Sequence, residues 1–176
     1  AIPIGLGYLL FLPPTHVPDE IVHYASAYKI TQGVLEDTGT YVEIPKIVED
    51  NNSSNLKSYQ QLNDLLLTPP NGEMGKSTAS GYSIVSYLPS IIGLSLGKVF
   101  HLPYFVGFYL ARILTFIVFL LLAYFSIKIL PIGKLVLTIY FLNPMWLQQA
   151  ISVSADSMMN MFGIFYICYI SSLIFY

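Results

Sequence analysis

Charged residues are scarce in this sequence of 176 residues. Only 10% of the residues are Asp, Glu, Lys or Arg, whereas 55% are hydrophobic. Soluble domains carry about 25% charged residues, so this composition predicts an integral membrane protein that contacts a lipid bilayer. Eight basic residues stand against ten acidic ones, for a formal net charge of −2. The sequence therefore lacks the basic surplus of nucleic-acid-binding proteins, and no nucleic-acid partner is expected.

Cysteine is nearly absent as well. The single cysteine, Cys168, lies in an apolar run, which excludes a disulfide framework and a cysteine-based metal site. No initiator methionine or basic stretch precedes the first apolar run, so residues 1–12 are not expected to be an intact signal peptide. Because apolar runs lie at both ends, we interpret the sequence as a fragment of a longer polytopic protein.

The apolar runs predict the membrane segments. Residues 1–12 are shorter than the roughly 20 residues that span a bilayer core, and are predicted to be the end of a first transmembrane helix. Residues 82–100 are apolar but contain Pro89, and form either a short membrane helix or a juxtamembrane helix. The predicted fold is an all-α membrane protein, a polytopic transmembrane helix bundle. Its further predicted transmembrane helices are residues 104–127, 135–154 and 157–176.

The longest polar stretch, residues 13–80, contains nine of the ten acidic residues. A short turn bounded by Lys128 and Lys134 favours a cytoplasmic position, because short loops with Lys and Arg stay on that side. This orientation makes residues 13–80 a long extracytoplasmic first loop that carries juxtamembrane helices. The opposite orientation applies if residues 82–100 cross the membrane.

An acidic segment, Pro18-Asp19-Glu20-Ile21-Val22-His23-Tyr24, follows the first apolar run after a Pro13-Pro14 break. Acids suit the positive N-terminal end of a helix, and the following residues predict a helix at 18–32. Its apolar residues recur at helical spacing, which is typical of an amphipathic helix on a membrane surface. Asp19 and His23, four residues apart, would share one face. The two acids either cap this helix or belong to a functional site.

In the preferred orientation, five ionisable residues reach one outer membrane boundary. Ionisable groups beside membrane spans are costly and often mark a functional site. A structural role is equally open for single members, because an arginine can extend its side chain to the interface and an aspartate can cap a helix. Their common position favours one shared site. The five residues are Asp19, Glu20, His23, Arg112 and Asp156.

Two other motifs are rejected. Gly75-Lys76-Ser77 lacks the earlier glycine and the preceding strand that a phosphate-binding loop requires. The spacing from Asp19 and Glu20 to His23 lacks the first histidine of the zinc-protease pattern His-Glu-x-x-His. Neither a nucleotide-binding protein with a phosphate-binding loop nor an intramembrane metalloprotease is therefore expected.

Several short segments, taken in order, resemble a known class of membrane enzymes. The sequence is similar to the N-terminal part of GT-C-fold membrane glycosyltransferases, and in particular to a bacterial polytopic membrane family of unknown function with the same acidic opening. The similar segments span most of the chain. They are Pro18 to Tyr24, Tyr87-Leu88-Pro89, Tyr109-Leu110-Ala111-Arg112, Pro131-Ile132-Gly133-Lys134, Asn143-Pro144, and Ser152-Val153-Ser154-Ala155-Asp156.

This resemblance implies a glycosyltransferase of the bacterial plasma membrane with an extracytoplasmic active site. It would transfer a sugar from a polyprenyl-phosphate-linked donor to an envelope glycan, lipid or protein, with an acid of the first outer loop activating the acceptor. Some members of the class bind a divalent metal, so Mg²⁺ or Mn²⁺ on Asp19 and Asp156 stays open. The implied catalytic residues are Asp19, Glu20 and Asp156, and the implied substrate-binding residues are His23, Arg112 and Tyr24.

The same residues also fit a protein that is not an enzyme. In a membrane carrier or an assembly subunit for envelope glycolipids, the acids would bind cargo or protons. Transfer of a sugar from a polyprenyl-phosphate donor would distinguish the two functions. The identity of the sugar and of the acceptor does not follow from the sequence.

Overall fold

The computed structural model describes residues 1–35, 41–46, 48, 67, 74–79 and 81–175, and the structural statements below concern these residues. They form seven helices and one two-stranded antiparallel ribbon. The strands are β1 (Tyr41–Pro45) and β2 (Met74–Thr78). The helices are α1 (Ile2–Phe11), α2 (Glu20–Thr31), α3 (Ile84–Val99), α4 (Tyr104–Ile129), α5 (Lys134–Phe141), α6 (Pro144–Ala150) and α7 (Ala155–Phe175).

The ribbon corrects the predicted all-α fold, because the chain is mostly but not wholly helical. Tyr41 pairs with Thr78, and Pro45 pairs with Met74. The segment Gly75-Lys76-Ser77 lies within β2, in extended backbone rather than at the start of a helix. The two strands are far apart in sequence and lack alternating hydrophobicity, so no local pattern indicates them. Most of the polar loop between them lies outside the described residues.

Helix α2 is buried within the protein, which corrects the amphipathic pattern expected for a helix at 18–32, whereas its position at a membrane surface stays a prediction. It begins only at Glu20, because Asp19 has φ 58°, a left-handed conformation that does not continue a right-handed helix. Nine of its 12 residues are buried. It packs against α3 and both strands. Even its polar side chains Glu20, His23 and Lys29 are buried, so the helix depends on the surrounding protein to cover it.

Two helices are long and apolar enough to cross a membrane: α4, with 26 residues, and α7, with 21 residues. They overlap the predicted segments 104–127 and 157–176. The predicted segment 135–154 is not one helix, because Asn143 is extended at ψ 130° and separates α5 from α6. Pro144 causes this break, since it has no N–H for the helical ladder and disfavours the helical conformation in the residue before it.

Helices α3 and α4 approach closely through small residues. A Cβ atom on Gly93 would collide with the backbone of Ala111. Ser90 Oγ and Thr115 Oγ1 lie 3.1 Å apart, within hydrogen-bond distance. Small residues inside and large apolar residues outside are typical of helices that pack within lipid. The exposed apolar residues of α3 are Ile84, Val85, Leu88, Ile92, Leu96 and Val99.

The hydrophobic core has two parts, and α4 passes through both. One part, the α2 core, contains Phe108 and Ala111 of α4 together with most buried apolar residues of α2. The other part, the bundle core, contains Phe116 and Phe119 of α4 with residues of α1, α5, α6 and α7. Arg112 lies on α4 between the two parts, and its surroundings form the first half of the candidate site.

Candidate functional site

Three segments of the chain meet beside Arg112: the end of α1, the start of α2 and the start of α7. Arg112 Nη1 donates to the carbonyl oxygen of Leu12 at 2.8 Å, and Nη2 donates to that of Pro13 at 3.1 Å. Glu20, the first residue of α2, accepts a hydrogen bond of 3.0 Å from the backbone N–H of Val153, just before α7. One arginine and one glutamate therefore join segments that are distant in sequence.

Glu20 and Arg112 form a buried, bidentate ion pair. Arg112 Nε donates to Glu20 Oε1 at 2.9 Å, and Nη2 donates to Oε2 at 2.6 Å. Both side chains are 0% exposed. Glu20 Oε2 also accepts the backbone N–H of Thr15 at 2.9 Å, so that each carboxylate oxygen accepts two hydrogen bonds. A carboxylate has about four such acceptor positions, and all of them are in use here.

The buried pair has a structural role in this arrangement. Glu20 has no solvent access and no open lone pair, so it is poorly suited to the catalytic role that the resemblance implies. Arg112 makes four hydrogen bonds within the protein and is closed to solvent, so it is poorly suited to bind a donor phosphate. Either role would require breaking a buried charge pair, which is strongly unfavourable.

A second polar cluster, called here the acidic rim, consists of Asp19, His23, Tyr82, Tyr87 and Asp156. His23 Nδ1 lies 2.8 Å from the Tyr87 hydroxyl oxygen, and His23 Nε2 lies 3.7 Å from Asp156 Oδ2. The rings of His23 and Tyr82 have centroids 5.4 Å apart, and Tyr82 hydrogen-bonds with Asp156. Asp19 is close enough to act electrostatically on both rings.

The members of the acidic rim differ in exposure. Asp19 lies on the surface, the Asp156 side chain is 43% exposed, and the His23 side chain is only 4% exposed. Tyr82 is 45% exposed, whereas Tyr87 is fully buried. The rim thus presents two accessible carboxyl groups and one phenol over a closed layer made by the His23 and Tyr87 side chains.

The environment of the rim keeps the rings of His23 and Tyr82 neutral. Burial lowers the pKa of His23 below its ordinary value of 6.5, and this effect outweighs the opposing negative charges of Asp156, Asp19 and Glu20. The imidazole is therefore uncharged at neutral pH. The hydrogen bond with Asp156, together with its negative charge, raises the pKa of Tyr82, which keeps this phenol protonated. Proton acceptance from a bound substrate rests on the exposed carboxyl groups, because the His23 ring, although neutral, is closed to solvent.

Tyr24, for which the resemblance implies a substrate contact, lies in neither cluster. It is fully buried, and its ring stacks on Tyr28 and Phe108 with centroids 5.6 Å and 5.1 Å away. It also lines a cavity of about 260 Å³ beside Lys98 and His101, at the turn between α3 and α4. No rim residue lines this cavity.

The structure brings Asp19, His23 and Asp156 together, and separates them from the saturated pair of Glu20 and Arg112. Two further members of the rim, Tyr82 and Tyr87, are predicted from the sequence only as interfacial aromatic residues. Tyr87 lies 64 positions after His23, so no local spacing connects the two. Only the packing of α2 on α3 makes them neighbours.

The described residues contain no group of three or more His, Cys, Asp or Glu side chains that could hold a metal ion. Asp19 and Asp156 supply two carboxylates at most, and Mg²⁺ on such a pair depends on substrate phosphates to complete its shell. A metal on this pair therefore stays a prediction.

Comparison with protein-family models places the chain in a family. A family model described as "Predicted membrane protein (DUF2142)" matches residues 3–172, nearly the whole sequence. The match confirms the coarser part of the resemblance, a membrane protein family of unknown function, and does not extend to glycosyltransferases. No curated protein and no solved structure matches the chain.

Proposed function

The chain belongs to this family of predicted membrane proteins, and we propose that it is a sugar transferase that uses a polyprenyl-phosphate-linked donor. Its acceptor is an envelope glycan, lipid or protein, and its active site is extracytoplasmic. The acidic rim carries the proposal, because it holds two accessible carboxyl groups beside the place where α1, α2 and α7 meet. In the proposed orientation this place lies at the membrane boundary, where lipid-linked substrates present their reactive head groups.

The proposed reaction is a displacement at the anomeric carbon of the donor sugar. The acceptor oxygen forms a bond to this carbon while the bond from the carbon to the phosphate oxygen breaks. The bonding electrons leave with the polyprenyl phosphate. The acceptor hydroxyl loses its proton to a general base, which is the step that the rim can catalyse.

Asp19 is the general base in this proposal, and its neighbour Glu20 is not. Asp19 is exposed, and its backbone, at φ 58°, turns it out of the helix that Glu20 begins. The second carboxyl group, Asp156, is held by contacts with His23 and Tyr82 and contacts the acceptor or a sugar hydroxyl. His23 acts as a positioning residue, because its ring is closed to solvent and hydrogen-bonded to Tyr87. The rim has no lysine or arginine, so residues outside it balance the phosphate charge.

Replacing Asp19 with asparagine tests the proposal. Asparagine is among the residues that best tolerate left-handed backbone, so Asp19→Asn removes the base and keeps the local conformation. Sugar transfer from a synthetic polyprenyl-phosphate donor by the full protein in lipid nanodiscs should fall by roughly 10²–10⁴-fold. The matched control is Glu43→Asn, at an exposed acid on β1. Full activity of Asp19→Asn would show that Asp19 is not the general base. Donor binding by the wild type without sugar transfer would favour a glycolipid carrier.

A labelling experiment tests the sidedness. The part of α4 from Arg112 to Ile129 is about 26 Å long, close to the thickness of a bilayer core. The rim and the turn after α4 should therefore lie on opposite sides. Cysteines at Glu43 and at Ile132, which is 71% exposed, are introduced after Cys168 is replaced by alanine. A membrane-impermeant maleimide should label Glu43→Cys in intact cells and Ile132→Cys only after permeabilisation; the reverse result would place the rim in the cytoplasm.

A further inference from the structure

A polar cleft lies between α6 and α7, beyond the acidic rim. It has a volume of about 310 Å³, at the lower end of the roughly 300–1,000 Å³ of small-molecule sites. Three carboxamide side chains and one indole line it, and no charged residue does. Its lining residues are Asn143, Met145, Trp146, Gln149 and Asn160.

We propose that this cleft binds a neutral, hydroxyl-rich group, namely the sugar ring of a substrate. The inference rests on the proposed function for the identity of that substrate. A carboxamide offers both donors and an acceptor, and a hydroxyl group offers the same combination, so the two are complementary. An anion would require cationic partners and a cation would require carboxylates, neither of which the cleft contains. A purely apolar ligand would bury the amides without hydrogen-bond partners, which is unfavourable.

The amides have unused hydrogen-bonding capacity. Asn143 Oδ1 caps α6 by accepting the backbone N–H of Met145 at 2.9 Å, and Gln149 Oε1 lies 3.4 Å from Ser152 Oγ. The amide nitrogens of both side chains, and the whole amide of Asn160, make no hydrogen bond among the described residues. These groups therefore point to a ligand that accepts and donates hydrogen bonds.

The surroundings of the cleft are apolar. Met145 is 71% exposed, Met159 is 49% exposed and Leu142 is 40% exposed, which is typical of a surface in contact with lipid. In hydrocarbon, polar groups without partners are expensive, so the amides need a polar occupant. A sugar carried by a lipid supplies one, because its ring can enter the cleft while its chain stays on the apolar surface.

Trp146 provides a flat wall for the ring. Its indole is half-buried, packs against the bundle core and lies 5.1 Å from the Tyr140 ring between centroids. The indole offers an apolar face with a polar N–H at its edge. This suits a sugar ring, which has an apolar face and hydroxyl groups around its edge.

The cleft lies about one helical turn along α7 from the proposed active site. Asn160 follows Asp156 by four residues on α7, and residues four apart lie on the same face of a helix, one turn from each other. A sugar bound to Asn160 is thus about one helical turn from a carboxyl group of the rim. This position fits the sugar-binding part of a transferase site.

Tryptophan fluorescence tests the inference directly, because Trp146 is the single tryptophan of this sequence. The full protein in nanodiscs is titrated with methyl glucoside, methyl mannoside, N-acetylglucosamine and a short prenyl-phosphate glucose, with Trp146→Phe giving the background. A saturable change with any of these probes is expected. Saturation by free glycosides shows that the ring suffices, and saturation by the prenyl-phosphate sugar alone shows that the lipid part is also needed. Both results support the proposal.

Matched variants assign the signal to the amides. Asn160→Leu and Gln149→Leu should each weaken the Kd by about tenfold, the effect of one lost hydrogen bond to the ligand. Gln148→Leu, a neighbouring glutamine that does not line the cleft, should bind like the wild type. No saturable change with any probe, or unchanged Kd values in both amide variants, would overturn the inference and indicate that another helix covers the amides.

The result is separable from the fate of the proposed transferase. Saturable binding that depends on Asn160, without any sugar transfer, would support the sugar-binding site and contradict the proposed transferase activity. Sugar transfer with the same KM in the wild type and in Asn160→Leu would support the transferase activity and contradict the sugar-binding site.

Discussion

The buried ion pair and the acidic rim are made of similar residues but are organised in opposite ways. In the pair, Glu20 and Arg112 are fully buried and complete their hydrogen bonds with backbone groups of two chain segments, residues 12–15 and Val153. In the rim, the carboxyl groups of Asp19 and Asp156 keep their exposure, whereas His23 of α2 and Tyr87 of α3 are closed to solvent. Partner count and solvent access, and not residue type, separate a structural acid from one available for chemistry.

The comparison is sharpest for two residues that are adjacent in sequence. Asp19 and Glu20 are both acids at the start of one helix, yet Asp19 is exposed to solvent and Glu20 is buried. Successive positions of a helix point about 100° apart, and the left-handed backbone of Asp19 increases the difference. One residue can therefore anchor the fold while its neighbour performs the reaction.

The largest effect should come from breaking the buried pair. Glu20→Gln removes the negative charge and leaves Arg112 buried without a counter-ion, which should lower the free energy of unfolding by about 3–5 kcal/mol. The measurement is chemical denaturation of the purified protein in detergent, with the yield of folded protein as a second readout.

Glu43→Gln is the control for this variant, because Glu43 is an exposed glutamate on β1. It should leave the unfolding free energy nearly unchanged, as surface substitutions usually do. Equal stability of Glu20→Gln and Glu43→Gln would mean that the pair does not hold the segments together, and the contrast with the rim would fail.

A smaller loss of stability should follow from separating α3 and α4. Gly93→Ala places a Cβ against the backbone of Ala111, next to the arginine of the pair. Backbone atoms cannot move aside cheaply, so overpacking should cost about 1–3 kcal/mol. Because α3 also carries Tyr87 of the rim, this substitution links the two regions. The measurement is the midpoint of thermal unfolding in detergent.

Gly163→Ala on α7 is the matched control, since nothing lies within 4 Å of its added Cβ. Alanine in an open helical position should keep or slightly raise the stability. If Gly93→Ala were as stable as Gly163→Ala, close contact between α3 and α4 would not be required.

The smallest effect concerns the pH dependence of the rim. Burial lowers the pKa of His23 in the folded protein, so the unfolded chain binds a proton first as the pH falls. Stability should therefore decrease below about pH 6.5, until the pH reaches the lower pKa of the folded state. His23→Gln should weaken this dependence between pH 7.5 and 5.5, as followed by the thermal midpoint.

His101→Asn serves as the comparison, because His101 is exposed, lies outside the rim and has a left-handed φ of 50° that asparagine tolerates. It should retain the wild-type pH dependence. An identical pH profile for wild type and His23→Gln would show that the buried imidazole does not contribute.

Features that depend on neighbouring residues could be predicted from the sequence alone. Scarce charge and long apolar runs indicate a membrane protein, because hydropathy is a property of consecutive residues. The apolar stretches that become α4 and α7 are visible for the same reason, and so is the disturbance at Asn143-Pro144, since proline acts on the residue before it. The acids of the opening segment are also recognisable as candidates.

Features that depend on contacts between distant residues were decided by the tertiary structure. Arg112 meets Glu20 across 92 positions, and Tyr87 meets His23 across 64. The pairing of β1 with β2 and the burial of α2 are of the same kind, because neither leaves a local pattern. The burial of a residue depends on which other parts of the chain cover it. Only the tertiary structure therefore decides that Glu20 is buried and Asp19 is exposed.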